Sequence, residues 1–384
     1  MKKYRFAIIA CLVIVVVVAA VLAITHSKSQ KPAEPAATPE PTVEPSAEPE
    51  AAETPEPEKS AYAGTTITVY NWYDYIDPEV LTDFTKETGI EVNYVCFTTN
   101  EEMYVQLTKG EGNYDIIVPS DYIIERMVKE GSLAELDFDA MPNTKGILSW
   151  MHNPDYDPEN KYSVPFMWGT VGILYNSETV EGDVTSWATI FDPSLDREVY
   201  MLDSIRDSIG VALKYLGYSM NTQEDAELQA AKELLIKQRE DGIVRGYLVD
   251  EVKDKMIGGE ASYAVMWSGD AMYSIMENEN LVYVVPEEGS NVWVDGLCIP
   301  ASSKNKEAAQ VFIDYMCRPD IAYRNMEYIY YCTPIQEVYS MMDEEELAYP
   351  GLNPSQEIVD RCEFFHDITD RLDIYEQIWL EIRS

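Results

Sequence analysis

Histidine and paired cysteine are nearly missing from this chain, and positive charge is scarce. The three histidines, His26, His152 and His366, stand in no motif among 384 residues. That leaves little material for a histidine-based metal centre or a Ser-His-Asp triad. Of six cysteines, Cys11 lies in an N-terminal apolar run, and Cys96, Cys298, Cys317, Cys332 and Cys362 form no CxxC and no Cys/His cluster. Neither a zinc site nor a disulfide framework is indicated, although one bridge among the five remains open in an oxidising compartment. No cofactor is expected. Lys and Arg number 28 against 68 Asp and Glu, a net charge of −40. Such a field makes nucleic acid and anionic lipid surfaces poor partners and concentrates cations.

The N-terminus is a different material from the rest. Lys2, Lys3 and Arg5 precede an uncharged apolar run over residues 6–24. The run is nearly long enough to span a bilayer, with its basic flank favouring a cytoplasmic N-terminus. A cleaved signal peptide ending near Val21-Leu22-Ala23 is the competing reading, and lipidation at Cys11 suits the short apolar stretch before it poorly. Each version exports the remainder. Residues 28–60 hold eight prolines and eight glutamates, a composition that stays extended and solvated. Segment 1–27 is therefore expected to anchor or export the chain, and 28–60 to form a stalk. The body beyond carries −38 of the charge.

From residue 66 the apolar pattern alternates between strand and helix periods. Strands are expected at 66–72, 90–97 and 114–118, and helices at 78–88, from Asn100 to Gly110, and at 121–130. Short connections of this kind argue a parallel α/β layer, in which ligands bind beyond the carboxyl ends of the strands. Later pieces include strands at 171–175, 199–202, 261–267 and 281–285, and helices at 207–215, 226–240 and 306–317. No internal repeat is visible, and the scale fits two α/β lobes with a cleft between them.

Three of the seven tryptophans are followed within three residues by an aspartate: Trp72 by Asp74, Trp267 by Asp270, Trp293 by Asp295. An indole face with a carboxylate beside it suits an organic cation, whose charge pairs with the acid and whose methylenes stack on the ring. Any one pair taken alone fits a core tryptophan beside a turn aspartate better, because large aromatics mostly fill cores.

Several stretches carry a family resemblance: Tyr70-Asn-Trp-Tyr-Asp-Tyr75, Phe84-Thr-Lys-Glu-Thr-Gly89, Tyr114-Asp-Ile-Ile-Val-Pro-Ser120 and Tyr162-Ser-Val-Pro-Phe-Met-Trp-Gly169. Leu216-Gly-Tyr-Ser219, Met266-Trp-Ser-Gly-Asp270, Trp293-Val-Asp-Gly-Leu-Cys-Ile-Pro300 and Thr333-Pro334 follow in order. Together they resemble the extracytoplasmic substrate-binding proteins of spermidine/putrescine ABC importers. The resemblance implies an α/β, two-lobed periplasmic-binding-protein-like fold with a hinge and an interlobe ligand cleft. Residues 61–169 and 293–338 would form lobe 1, and 170–292 and 339–384 lobe 2. It also implies a polyamine ligand, ABC transporter permease subunits as partners, a monomer, membrane association through the N-terminal segment only, and no enzymatic activity.

Carried over by position, the resemblance implies a first binding loop of Trp72, Tyr73, Asp74 and Tyr75, and a second of Ser120 and Tyr122. Asp207 would supply a carboxylate from the other lobe, Trp267 and Trp293 the walls of an aromatic box, Asp295 the principal amine-binding acid, and Tyr331 a further aromatic contact. Three positions depart from the pattern. Tyr73 replaces a small hydroxyl residue, Ser204 falls where another acid is expected, and Phe365 lies about where a polar side chain belongs. Asp270 is expected in a turn or at a helix start rather than at the ligand. Two alternatives remain: the same fold binding another small ligand, such as an amino acid or a metal complex, and a glycoside hydrolase. An amino acid would need an arginine for its carboxylate, for which Arg206 is the candidate unless it serves as a structural partner of Asp207.

Overall fold

A computed structural model describes residues 60–384, apart from Glu111, Asp196 and Arg197. The expected anchor and stalk lie outside the described residues. Among the described residues no helix is long and apolar enough to cross a membrane.

The first three strands form the parallel layer that the periodicity predicts. β1 (Thr66–Trp72) pairs in parallel with β2 (Glu91–Phe97) on one side and β3 (Ile116–Ile117) on the other. Helix Pro78–Thr88 starts where Asp77 accepts from the Glu79 N–H and stops at Gly89, whose φ of 74° is the left-handed conformation that glycine adopts without a Cβ penalty. The next helix, Asn100–Lys109, is capped by Thr99 rather than by Asn100. The Asn100 side chain turns inward instead, which matters for the site below.

β4 (Ser163–Asn176) organises everything else. The 162–169 motif and the strand expected at 171–175 are one continuous, almost wholly buried strand of 14 residues. It changes partners along its length. Ser163–Thr170 pair antiparallel with β9 (Val292–Cys298), with an irregularity between Pro165 and Met167. Val171–Tyr175 pair antiparallel with β7 (Tyr263–Trp267), and β8 (Leu281–Val284) pairs with β4 as well. Beyond β7 lie β5 (Val199–Leu202) and β6 (Val244–Leu248), both parallel to their neighbours. The strand order is β2-β1-β3-β9-β4-β7-β5-β6, with β8 off this path. β6 and the helices Ser268–Glu277, Pro319–Ile329 and Leu372–Arg383 lie outside the elements that the pattern picks out.

Two hydrophobic clusters sit on this sheet. One joins Ile67, Val69, Phe84 and Phe312 around the parallel layer; the other gathers Val171, Trp187, Leu213 and Trp379 around the far half of β4. All five body cysteines are free, three of them buried.

The start of β4 is tied down by one acid. Asp157, 1% exposed, accepts from the backbone N–H groups of Lys161, Tyr162 and Ser163 and from Ser163 Oγ, at 2.8–3.0 Å. Removing such an acceptor leaves several buried donors unmet. Asp157→Ala is expected to lower the unfolding free energy by about 2–4 kcal/mol in urea denaturation. A loss below about 0.5 kcal/mol, the range of a surface substitution, would mean that other contacts hold the strand.

Candidate functional site

β1 and β3 run in parallel, so Trp72 and Ser120 emerge at the same sheet edge, as expected. The Trp72 indole N–H donates to the Val118 carbonyl at 2.9 Å, and its ring lies 4.6 Å from that of Phe97. β9 then brings Asp295 to this edge, where Ser120 and Asp295 form a β-bridge. Ser120 Oγ donates to Asp295 Oδ1 at 2.6 Å, and the Tyr75 hydroxyl donates to Oδ2 at 2.8 Å. Asn100 supports the pair from behind. Its Nδ2 donates to Ser120 Oγ and to the Tyr122 hydroxyl, both at 3.0 Å, and its Oδ1 accepts from the Ser120 N–H.

Pairing along β4 aligns the aromatic walls. Trp293 lies opposite Gly169 and Trp267 opposite Val171. Gly169 and Val171 are two residues apart on one strand, so both indoles stand on one face of β4. Gly169 has no Cβ for a physical reason: one would come 2.7 Å from Trp293 Cζ2 and from Ser268 Oγ. Tyr331 closes the wall edge-on to Trp293 at 5.0 Å and to Tyr75 at 5.9 Å. It packs over Gly269, where an added Cβ would lie 2.5 Å from the ring. The Trp293 Nε1–H is buried without a hydrogen-bond partner.

Asp207 approaches from the helix Ile205–Tyr215. Ser204 caps this helix and donates its hydroxyl to Asp207 Oδ2 at 2.6 Å, while Oδ1 is buried with no partner of hydrogen-bond geometry. Burial pushes both key acids up to about 6. For Asp207 the opposing influences are the Ser204 hydroxyl, the Arg206 charge and the neighbouring Trp267 indole. For Asp295 they are the Ser120 and Tyr75 hydroxyls, with no cation among them.

Other expected site residues have different surroundings. Tyr73 is 78% exposed, and Asp74, in the left-handed region at φ 56°, is exposed and accepts from the Tyr328 hydroxyl at 3.0 Å. Both sit at the rim rather than beside Asp295. The Tyr122 hydroxyl is shared between Asn100 and Glu101, and its ring lies 5.8 Å from the Arg206 guanidinium carbon. Phe365 lies 4.3 Å from the same carbon, and Arg206 donates to the His366 carbonyl and Asn221 Oδ1. Arg206 is thus a structural cation in an aromatic setting. It makes no ion-pair contact with the Asp207 carboxylate among the salt bridges of the described residues.

Three side chains join the site that motif reading passed over or set aside. Asn100 reads as a helix cap, and only its inward turn exposes its role. Asp121, fully buried, accepts from the Tyr122 and Val294 N–H groups at 2.7 and 3.3 Å. Burial holds its carboxyl well above the ordinary range. Asp270 does lie at a helix start, in the first turn of Ser268–Glu277, yet it also reaches the site through the Tyr331 hydroxyl at 3.4 Å. Its other oxygen pairs with Lys253 at 3.0 Å. Among the described residues no group of three or more His, Cys, Asp or Glu side chains could hold a metal ion.

Buried acids backed by hydroxyls and walled by indoles can hold a cation with an apolar body. Comparison with known proteins agrees in kind. The model of the bacterial extracellular solute-binding protein family matches residues 79–351. The spermidine/putrescine-binding periplasmic protein of Salmonella typhimurium is 35% identical over 321 residues, 83% of this chain and 92% of its own. A putrescine-binding periplasmic protein of Pseudomonas aeruginosa is 32% identical over 340 residues, 82% of this chain and 91% of its own. The crystal structure of a spermidine/putrescine ABC transporter substrate-binding protein from Streptococcus pneumoniae superposes with a TM-score of 0.75 at 35% identity, covering 83% of this chain and 98% of that one. This chain belongs to the bacterial extracellular solute-binding proteins, with their two-lobed fold, and is a binding protein rather than an enzyme.

Proposed function

We propose that this protein captures a polyamine, spermidine or putrescine, outside the cytoplasm and delivers it to an ABC importer by closing its lobes on the ligand. The observation that carries this reading is Asp295, buried between the hydroxyls of Ser120 and Tyr75 beside Trp293, with no cation in salt-bridge contact among the described residues. A primary ammonium would supply the missing charge, and Asp207 Oδ1 would receive a second one. Trp293, Trp267, Trp72, Tyr75 and Tyr331 would stack on the methylenes. Tyr73 and Asp74 at the rim would meet the ligand on entry, and Ser120 and Tyr122 would fix the second loop.

The division into lobes at 61–169 with 293–338 and 170–292 with 339–384 is supported by the exchange of partners along β4 at Thr170 and Val171. The N-terminal segment would tether a monomer near the membrane, within reach of the permease subunits. An amino-acid ligand is disfavoured because both terminal nitrogens of Arg206, the forked end that would meet its carboxylate, already donate to the His366 carbonyl and Asn221 Oδ1, leaving only the buried Nε–H unpartnered.

Calorimetric titration of the full-length protein with putrescine and spermidine tests this reading; no heat and no melting shift with either would sink it. Charge-assisted hydrogen bonds contribute ~1.5–3 kcal/mol each. Asp295→Asn is therefore expected to weaken polyamine binding about ten- to a hundredfold. The same substitution should stabilise the ligand-free protein at neutral pH. A carboxyl raised from 3.8 to about 6 costs the fold on the order of 3 kcal/mol above that value. Thermal melting at pH 7.5 checks this, and an unchanged or lowered midpoint would count against an unpaired buried charge.

The pH dependence follows with a definite sign. Asp207 and Asp295 bind protons more tightly folded than unfolded, so their contribution to ligand-free stability is full below about pH 4 and is lost as pH rises through about 6. Ligand cations favour the charged carboxylates, so affinity should fall as pH drops below about 6, and binding near that pH should release protons. Titrations at pH 5 and 7.5 in buffers of different ionisation enthalpy measure both effects. Affinity that rises on acidification would contradict the assignment.

A further inference from the structure

Asp270, bonded to Tyr331 of the aromatic wall, is already paired with a cation of the protein. Lys253, on the helix Glu251–Ile257, places its Nζ 3.0 Å from Asp270 Oδ1 and 3.5 Å from Asp250 Oδ1, and 5.9 Å from the centre of the Tyr273 ring. Asp270 in turn accepts from the Tyr331 hydroxyl, and the Tyr331 ring packs on Trp293 and Tyr75, the latter bonded to Asp295. A continuous path of contacts therefore runs from the unpaired Asp295 to the paired Asp270. The Lys253 ammonium stands to Asp270 and Tyr331 as a ligand ammonium would stand to Asp295 and Trp293. Burial alone would push Lys253 down, but Asp270 and Asp250 outweigh it and keep the side chain charged.

The remaining acids divide cleanly. Both oxygens of Asp121 are taken up by the backbone N–H groups of Tyr122 and Val294. Asp270 has Lys253. Among the described residues, Asp207 and Asp295 are the buried carboxylates of the site that have neither a salt-bridge cation nor backbone N–H donors on their oxygens. At the side of Tyr122 and Phe365, the Arg206 guanidinium carbon stands among aromatic rings, 5.8 Å from Tyr122, 4.3 Å from Phe365 and 5.6 Å from Tyr375.

We infer that Lys253 is a specificity-determining residue: its ammonium closes the Asp270–Tyr331 end of the cleft, so the site selects a ligand with two ammonium groups over longer polyamines. The inference rests on the polyamine reading above and deepens it. A third ammonium would have to approach Lys253 or Arg206, where like charges repel, or remain in solvent near the exposed Asp74.

The test is calorimetric titration of the full-length protein with putrescine, spermidine and spermine, for the wild type, Lys253→Met and Lys253→Met/Asp270→Asn. The wild type is expected to bind putrescine at least tenfold more tightly than spermine. Lys253→Met, which keeps the length of the side chain and frees Asp270, should shift the spermidine-to-putrescine affinity ratio at least tenfold toward spermidine. The second substitution should cancel that gain. An unchanged ratio in a Lys253→Met protein that melts normally would overturn the inference, as would a wild type that binds spermine as tightly as putrescine. The wild-type series decides the matter even if the variant does not fold. Absence of binding by any polyamine would overturn the functional reading as well, whereas binding without discrimination would overturn this inference alone.

Discussion

Asp295 bears its charge where, among the described residues, no cation forms a salt bridge with it, and the arrangement of the site follows from that constraint. Hydroxyls from Tyr75 and Ser120 satisfy its oxygens, but they are dipoles and cannot offset the loss of water around a full charge. Burial consequently leaves the carboxyl at about 6. Burial raises Asp207 to the same value, against the Ser204 hydroxyl, the Arg206 charge and the neighbouring Trp267 indole. The ligand-free protein thus holds two acids at a disadvantage that protonation or an added cation removes. On the proposed reading, ligand binding and stability would be coupled through these two groups, and the closed arrangement would be favoured when the missing charges arrive.

A single strand makes that coupling geometrically possible. β4 passes from β9 to β7 between Thr170 and Val171, and the two indoles that flank the ligand space are the cross-strand partners of Gly169 and Val171. Rotation of one set of partners against the other would move Trp267 and Asp207 relative to Trp293 and Asp295, without breaking either half of the ladder. Gly169 and Gly269 serve the same end from the packing side. Each leaves room for an aromatic ring that a methyl group would displace, so the box is shaped as much by missing side chains as by the rings.

Much of this was legible in the sequence, and the unread part has a physical reason. The parallel layer of β1, β2 and β3 followed from periodicity, because each strand alternates with an amphipathic helix. The alternation over 292–299 was readable as well, but not its antiparallel pairing with β4, which joins residues more than a hundred positions apart, where local pattern carries no information about register. Asn100 shows the same limit at the scale of one residue. At a helix start it reads as a cap, yet Thr99 takes that role and frees the amide to brace Ser120 and Tyr122. The tryptophan–aspartate spacing picked out Trp267, Trp293 and Asp295, which the fold brings to one neighbourhood, but spacing alone says nothing of burial. Asp74 is exposed, while Asp270, expected in a turn or at a helix start, lies in a first helical turn and accepts from the Tyr331 hydroxyl. Spacing reveals which residues are near each other in the chain, and burial decides which of them act.

The support of these acids is itself acidic. Asp121 gathers the N–H groups of Tyr122 and Val294, and Val294 is the residue between Trp293 and Asp295. One carboxyl therefore fixes the start of the helix Asp121–Lys129 against the strand that presents both principal contacts. An amide would offer a single acceptor oxygen to two converging donors and would turn its NH2 toward one of them, so the geometry favours an acid. The cost is another buried carboxyl, raised first by desolvation and further by the charge of Asp295. A cation seated on Asp295 would offset that repulsion along with its own. The order of the strand and the affinity for a cation then have one origin, because the group that holds the site in shape is among those that the ligand relieves.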